Sequence, residues 1–124
     1  ALNIFLHNRT LDKAEALKDR FNYIKIIENN EIPKHIDMII NATSLGINKD
    51  DKIDLDYEKI GPNKFYYDLI YNPPQTNFLK QAKIFGNNTE NGKMMFIYQA
   101  HQAFSIWHKV LPKIDEKVIE LLDK

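Results

Sequence analysis

Three residues near the start of the chain, Arg9, Thr10 and Lys13, have the types and spacing of a phosphate clamp. They follow a short apolar run, "NIFLH" (3–7), and open onto a helix-like run that begins at Leu11. In dinucleotide folds the residue at the end of the second strand meets the adenosine ribose, and an acid there favours NAD. Arg9 is the opposite choice. A guanidinium grips a ribose 2′-phosphate with paired hydrogen bonds and can lie flat against adenine. Thr10 offers a hydroxyl, Lys13 stands one turn up the same helix face, and the helix N-terminus adds its own partial positive charge. The same side chains also make an ordinary solvated strand end and charged helix face.

Other candidates carry less chemistry. His101 and His108 share a helix face two turns apart, but no carboxylate accompanies them at ligand spacing, so no metal site is expected. Met94 and Met95 suit gap-filling in a core, Gln102 a solvated face, and "NKDDKIDLDYEK" a solvated loop. The Asn-X-Thr triplets at Asn8, Asn41 and Asn87 read as polar turns.

These residues need elements to position them. "NIFLH" (3–7), "YIKII" (23–27), "DMIIN" (37–41) and "KFYYDLI" (64–70) read as four strands. After the first, Thr10 can cap a helix with Asp12 in its first turn and Leu11, Ala14, Leu17 and Phe21 on one face. A long loop, with one helical turn near Tyr57, separates the third and fourth strands. "YNPPQT" is turn chemistry. Thr76 then caps a helix whose Phe78, Leu79, Ala82 and Phe85 share a face, ending at Gly86. The last third is expected to be helical, with Phe96, Ala100, Ala103 and Trp107 on one stripe and Met95, Gln99, Gln102 and Ile106 on another. A short helix carrying Val118, Leu121 and Leu122 follows Pro112.

Strands alternating with helices imply an α/β architecture with a largely parallel sheet, in which ligands meet the carboxyl ends of the strands. Composition sets outer limits. The 124 residues are 44% hydrophobic and 27% charged, with 17 basic and 17 acidic residues, so no overall basic field draws in nucleic acid or acidic membranes. There is no cysteine, hence no disulfide or thiolate site, and no apolar run approaches the roughly 20 residues that span a bilayer. A cytoplasmic location is the expectation.

Taken in series, "NRTLDKAEAL", "DMIINATSLGI", "YYDLIYNPPQTNFLKQAKIFG" and "NGKMMFIYQAHQAFSIWHKVLP" resemble the C-terminal, NADP-binding domain of shikimate dehydrogenase, in that family's order and spacing. The resemblance implies a Rossmann-like fold and a cofactor clamp at Asn8, Arg9, Thr10 and Lys13. It also implies that Thr43, Ser44 and Leu69 border the cofactor towards its nicotinamide, that Gly92 offers backbone to the nicotinamide amide, and that Tyr71 and Gln99 touch substrate. Gln99 can both donate and accept, which suits a polyhydroxylated ring, and the Tyr71 phenol suits a carboxylate.

The chain begins at what looks like the second strand of such a domain. The four glycines form no G-x-G-x-x-G run, so the first strand and its glycine-rich turn are absent from it, as is the family's N-terminal domain with the catalytic lysine and aspartate. Residues 1–124 are thus expected to form a partial nucleotide domain, the C-terminal helices included, inactive alone. Its strands at 3–7 and 37–41 would flank the missing one, and their open edges invite self-association. The implied activity is reversible reduction of 3-dehydroshikimate to shikimate with NADPH, within aromatic amino acid (chorismate) biosynthesis. Two other readings stay open: a non-catalytic nucleotide-binding module, and a quinate/shikimate dehydrogenase using NAD.

Overall fold

Short β-branched and aromatic runs become strands here, and the longer runs between them become helices. The computed structural model describes residues 3–28 and 31–123 and divides into two compact units, one of residues 1–36 with 54–56, the other of residues 37–53 with 57–124.

The first unit is a β-α-β turn of chain. β1 (Ile4–Leu6) and β2 (Ile24–Ile26) pair in parallel with Ile4 opposite Ile24, and α1 (Leu11–Arg20) connects them. α1 packs on β2 and Ala14 is wholly buried, while Leu11, Leu17 and Phe21 of the expected apolar face stay exposed. Thr10 does precede the helix in extended conformation, but its hydroxyl caps nothing; its carbonyl accepts from the Lys13 amide at 3.2 Å. Asp12 in the first turn and Lys18 and Arg20 in the last complement the helix dipole.

The second unit holds a three-stranded parallel sheet in the order β3 (Met38–Asn41), β4 (Phe65–Asp68), β5 (Asn88–Glu90). Its helices are α2 (Tyr57–Ile60), α3 (Asn77–Ile84), α4 (Lys93–His108) and α5 (Glu116–Glu120), the last running into a 3-10 turn at Leu121–Asp123. All strand pairs are parallel, as the α/β expectation requires, and the orders β2-β1 and β3-β4-β5 are those of strands 3-2 and 4-5-6 in a doubly wound sheet. Among the described residues β1 pairs only with β2 and β3 only with β4, so each keeps one edge without a strand partner.

β5 was not expected from the sequence. "NTE" is too polar to announce a strand, and it forms because Asn88 lies in register with Phe65 and its amide reaches the Lys64 carbonyl at 2.9 Å. Gly86, at φ 77°, ends α3 in the left-handed region and turns the chain into this strand.

Strand alternation divides β4 cleanly. Tyr66 and Asp68 are wholly buried on the α3 side, while Phe65 and Tyr67 share the other face, their rings 6.4 Å apart. Tyr66 meets Phe78 at 5.3 Å and Tyr57 at 5.8 Å, and Tyr57 in turn stacks on Phe85 at 6.2 Å. The single helical turn of α2 thus inserts an aromatic plug over the sheet.

Neither buried phenol oxygen, of Tyr57 or of Tyr66, has a hydrogen-bond partner among the described residues. Burial pushes the Tyr66 phenol up to about 12 from 10.0. Burial, with Tyr66 and Asp68 nearby, pushes Tyr57 higher still. Both phenols therefore ionise in the unfolded chain first, so stability is intact below pH 10 and falls as pH rises from 10 through about 12. Alkaline denaturation followed by circular dichroism should show that decline, and Tyr66→Phe with Tyr57→Phe should flatten it; an unchanged alkaline limb would refute the assignment.

The stripes expected on α4 are not its buried face. Ile97 is the buried residue, with Met94, His101 and Ser105 half-buried at helical spacing from it, whereas Trp107 is 76% exposed and Phe96 and Ile106 are also open. The chain then doubles back along α4: His101 Nε2 donates to the Pro112 carbonyl at 2.8 Å, and Lys93 Nζ pairs with Asp123 at 2.6 Å.

Candidate functional site

Parallel pairing brings all polar strand ends of one sheet to the same side, and in each unit that is where the expected site residues lie. In the first unit β1 stops at Leu6, and "HNR" crosses to the start of α1. His7 Nδ1 donates to the Ile27 carbonyl at 3.3 Å, fixing this crossing to the end of β2. An open cleft results, lined by His7, Asn8, Arg9, Leu11, Ile26, Ile27 and Glu28. Arg9, Thr10 and Lys13 are exposed, and among the described residues neither cation forms an ion pair. The structure brings Asn8 and Arg9 into the cleft and sets Thr10 and Lys13 at the first turn of α1 beside it. Two unpaired cations at a helix N-terminus suit a phosphate monoester.

In the second unit the register of β3 with β4 places Asn41 opposite Asp68 at the strand ends. Asn41 Nδ2 donates to Asp68 Oδ1 at 3.0 Å and to the Leu45 carbonyl at 2.9 Å. Its Oδ1 accepts from the Thr43 amide at 3.0 Å and the Thr43 hydroxyl at 2.7 Å. That pattern holds the turn carrying Thr43 and Ser44, whose side chains are exposed. Further along, Asp51 accepts from the amides of Gly46 and Asn48, both at 3.0 Å, which holds its carboxyl below the ordinary 3.8.

After β4, Leu69 and Tyr71 are half-buried. The Tyr71 ring stacks on Phe96 at 4.9 Å, and Gln99, exposed, lies one helical turn beyond Phe96. Tyr71 and Gln99 thus share one neighbourhood, although the Tyr71 ring also packs.

Gly92 has a reason the sequence did not offer. A Cβ built on it would sit 2.0 Å from the Leu69 carbonyl oxygen, and its amide donates to the Ile70 carbonyl at 3.2 Å. Its φ of −77° is one any residue adopts, so glycine is required here for space alone. Asn91 completes the junction, accepting from the Lys93 amide at 3.0 Å and donating to the Pro74 carbonyl at 2.9 Å. Asn41, Asp68 and Asn91 escaped the sequence reading, since single polar residues at strand ends look like turn chemistry. The one available signal was an acid closing an aromatic strand, in "FYYD". Among the described residues there is no cluster of metal-ligating side chains, and no helix is long and apolar enough to cross a membrane.

No family model matches the chain. Over 120 residues, 97% of its length, it is 57% identical to the shikimate dehydrogenase (NADP(+)) of Pelagibacter ubique, of which it covers 45%. Over this stretch the chain is similar to the shikimate dehydrogenases. Similar solved structures include shikimate dehydrogenases and a 5-ketofructose reductase. The chain matches shikimate dehydrogenase from Aquifex aeolicus with TM-score 0.83 and 29% identity, over 98% of this chain and 44% of that one. It matches shikimate 5-dehydrogenase from Thermus thermophilus, solved in complex with NADP(H) and shikimate, with TM-score 0.80 and 28% identity, over 98% and 45%. The chain spans slightly under half the length of the shikimate dehydrogenases it resembles.

Proposed function

We propose that this chain forms the cofactor wall and part of the substrate wall of an NADP-dependent shikimate dehydrogenase, which interconverts 3-dehydroshikimate and shikimate. The observation that carries this reading is the basic knuckle after β1, where Arg9 and Lys13 stand exposed at the start of α1, without an ion pair among the described residues. Such donors fit a ribose 2′-phosphate and would be wasted on the free 2′-hydroxyl of NAD. The named relatives, which carry NADP in their descriptions, support it.

Asn8, Arg9, Thr10 and Lys13 hold the ribose phosphate in this reading, and the open cleft beside Arg9 takes adenine. Thr43, Ser44 and Leu69 border the nicotinamide, and the Gly92 backbone lies at its amide. Tyr71 and Gln99 bind substrate, the phenol at the carboxylate and the amide at ring hydroxyls. The bound cofactor supplies the hydride. These residues bind and orient; none of them is given the proton transfer. We place the protein in the cytoplasm, with small-molecule ligands rather than nucleic acid or membrane, and take the open edges of β1 and β3 as the route by which the chain alone would self-associate.

Shikimate-dependent reduction of NADP⁺, compared with NAD⁺, tests this in the complete protein that carries the chain. Turnover with NADP⁺ preferred is the expected result. Binding of NADP(H) without turnover would replace it with a nucleotide-binding module, and preference for NAD⁺ with an NAD-linked enzyme.

A further inference from the structure

Asp68 is wholly buried, and no cation pairs with it among the described residues. Its carboxylate accepts from Asn41 Nδ2 at 3.0 Å, the Ile70 amide at 3.1 Å and the Thr76 hydroxyl at 2.6 Å. A buried carboxylate that needs only to be neutralised would take a lysine or arginine; one held by three neutral donors instead dictates where those donors point.

Each donor belongs to a different piece of backbone. A carboxylate only accepts, so the amide of Asn41 must turn its nitrogen to Asp68, which leaves its oxygen for the Thr43 amide and hydroxyl. Thr43 Oγ1 in turn accepts from the Leu45 amide at 3.1 Å. The bond from the Ile70 amide bends the chain directly after β4, between Leu69 and Tyr71. Thr76 gives its proton to Asp68 and keeps a lone pair for the Leu79 amide, at 3.4 Å, as the cap of α3. The Leu69 carbonyl fixed by that bend is the group against which Gly92 closes.

We propose that Asp68 is the positioning residue of this site, its carboxylate setting the two strand-end turns that carry Thr43, Ser44, Leu69 and Tyr71. The role at the cofactor rests on the reading of those turns given above; the ordering of the turns themselves does not.

Thr76 reports on the network without touching either turn's outward face. In the complete protein, Thr76→Val keeps the shape but leaves a carboxylate oxygen without its donor, while Thr76→Ser restores the hydroxyl. Hydrogen exchange at the amides of Thr43, Leu45 and Ile70 should accelerate roughly 10-fold or more in Thr76→Val, with the β4–β5 ladder still protected. The kcat/KM for NADP⁺ should fall roughly 5- to 30-fold, mostly through KM, and Thr76→Ser should recover both to within about twofold. Asp68→Asn, which removes the acceptor-only group, should repeat the turn-specific loss.

Unchanged exchange at the turn amides, or equal acceleration over the whole molecule, would overturn the proposal. So would equal behaviour of the valine and serine variants. If the complete wild-type protein shows no shikimate turnover, the proposed activity fails, while the exchange measurement still decides the role of Asp68.

Discussion

Arg9→Ala, in the complete protein, is expected to raise the KM for NADP(H) roughly 10- to 150-fold, the loss of about 1.5–3 kcal/mol that a charge-assisted contact contributes, and to leave NAD(H) within about threefold. The selectivity follows from the position. Arg9 is exposed, pairs with no acid among the described residues, and lines an open cleft, so its removal takes nothing from the fold. What the substitution removes is the proposed contact to the 2′-phosphate. Arg9→Lys keeps the charge and loses the fork, so it should fall between wild type and alanine. Raising salt should narrow the gap between wild type and Arg9→Ala, because the contact lies in solvent. Equal loss for both cofactors would show that Arg9 serves adenine or the fold rather than a 2′-phosphate.

Among the glycines, Gly92→Ala should be the most damaging alanine substitution. The added carbon would meet backbone, the Leu69 carbonyl at 2.0 Å, which cannot rotate away as a side chain would. Relief requires moving either the bend after β4 or the start of α4, at a cost of about 3 kcal/mol or more. Gly61→Ala is the control: at φ 82° with nothing within 4 Å, it bears only the conformational cost of roughly 1–2 kcal/mol. Chemical denaturation of the two variants separates space from backbone conformation. Since Gly92 and Leu69 are both proposed to face the nicotinamide, any Gly92→Ala protein that does fold should bind NADP(H) weakly. Similar stability for the two variants would mean that the close approach at Gly92 is not real.

Much of the fold was legible because hydrophobic period and cap chemistry act locally. The runs 3–7, 23–27, 37–41 and 64–70 each contain a strand, Thr76 caps α3, and Gly86 ends it, since each feature depends on a few neighbouring residues. β5 was not legible: "NTE" has no strand character of its own, and it exists because β4 offers an edge in register. The face of α4 misled for a related reason. Phe96, Trp107 and Ile106 form apolar stripes on paper, but burial goes to Ile97, which is the side the rest of the unit covers.

For the site, the sequence by itself determined which polar groups are offered: a basic, hydroxyl-bearing knuckle at Arg9, Thr10 and Lys13, and polar turns after the strands, in an order similar to that of the shikimate dehydrogenases. Side-chain type and spacing suffice for that, because charge and hydrogen-bonding capacity belong to the residue. Only the tertiary structure decided what holds the turns in place. Asn41 and Asp68 are 27 residues apart and meet because two parallel strands pair in one register. Gly92 and Leu69 meet because a helix starts against a strand end. Contacts between residues distant in sequence are set by packing, and no local pattern records them.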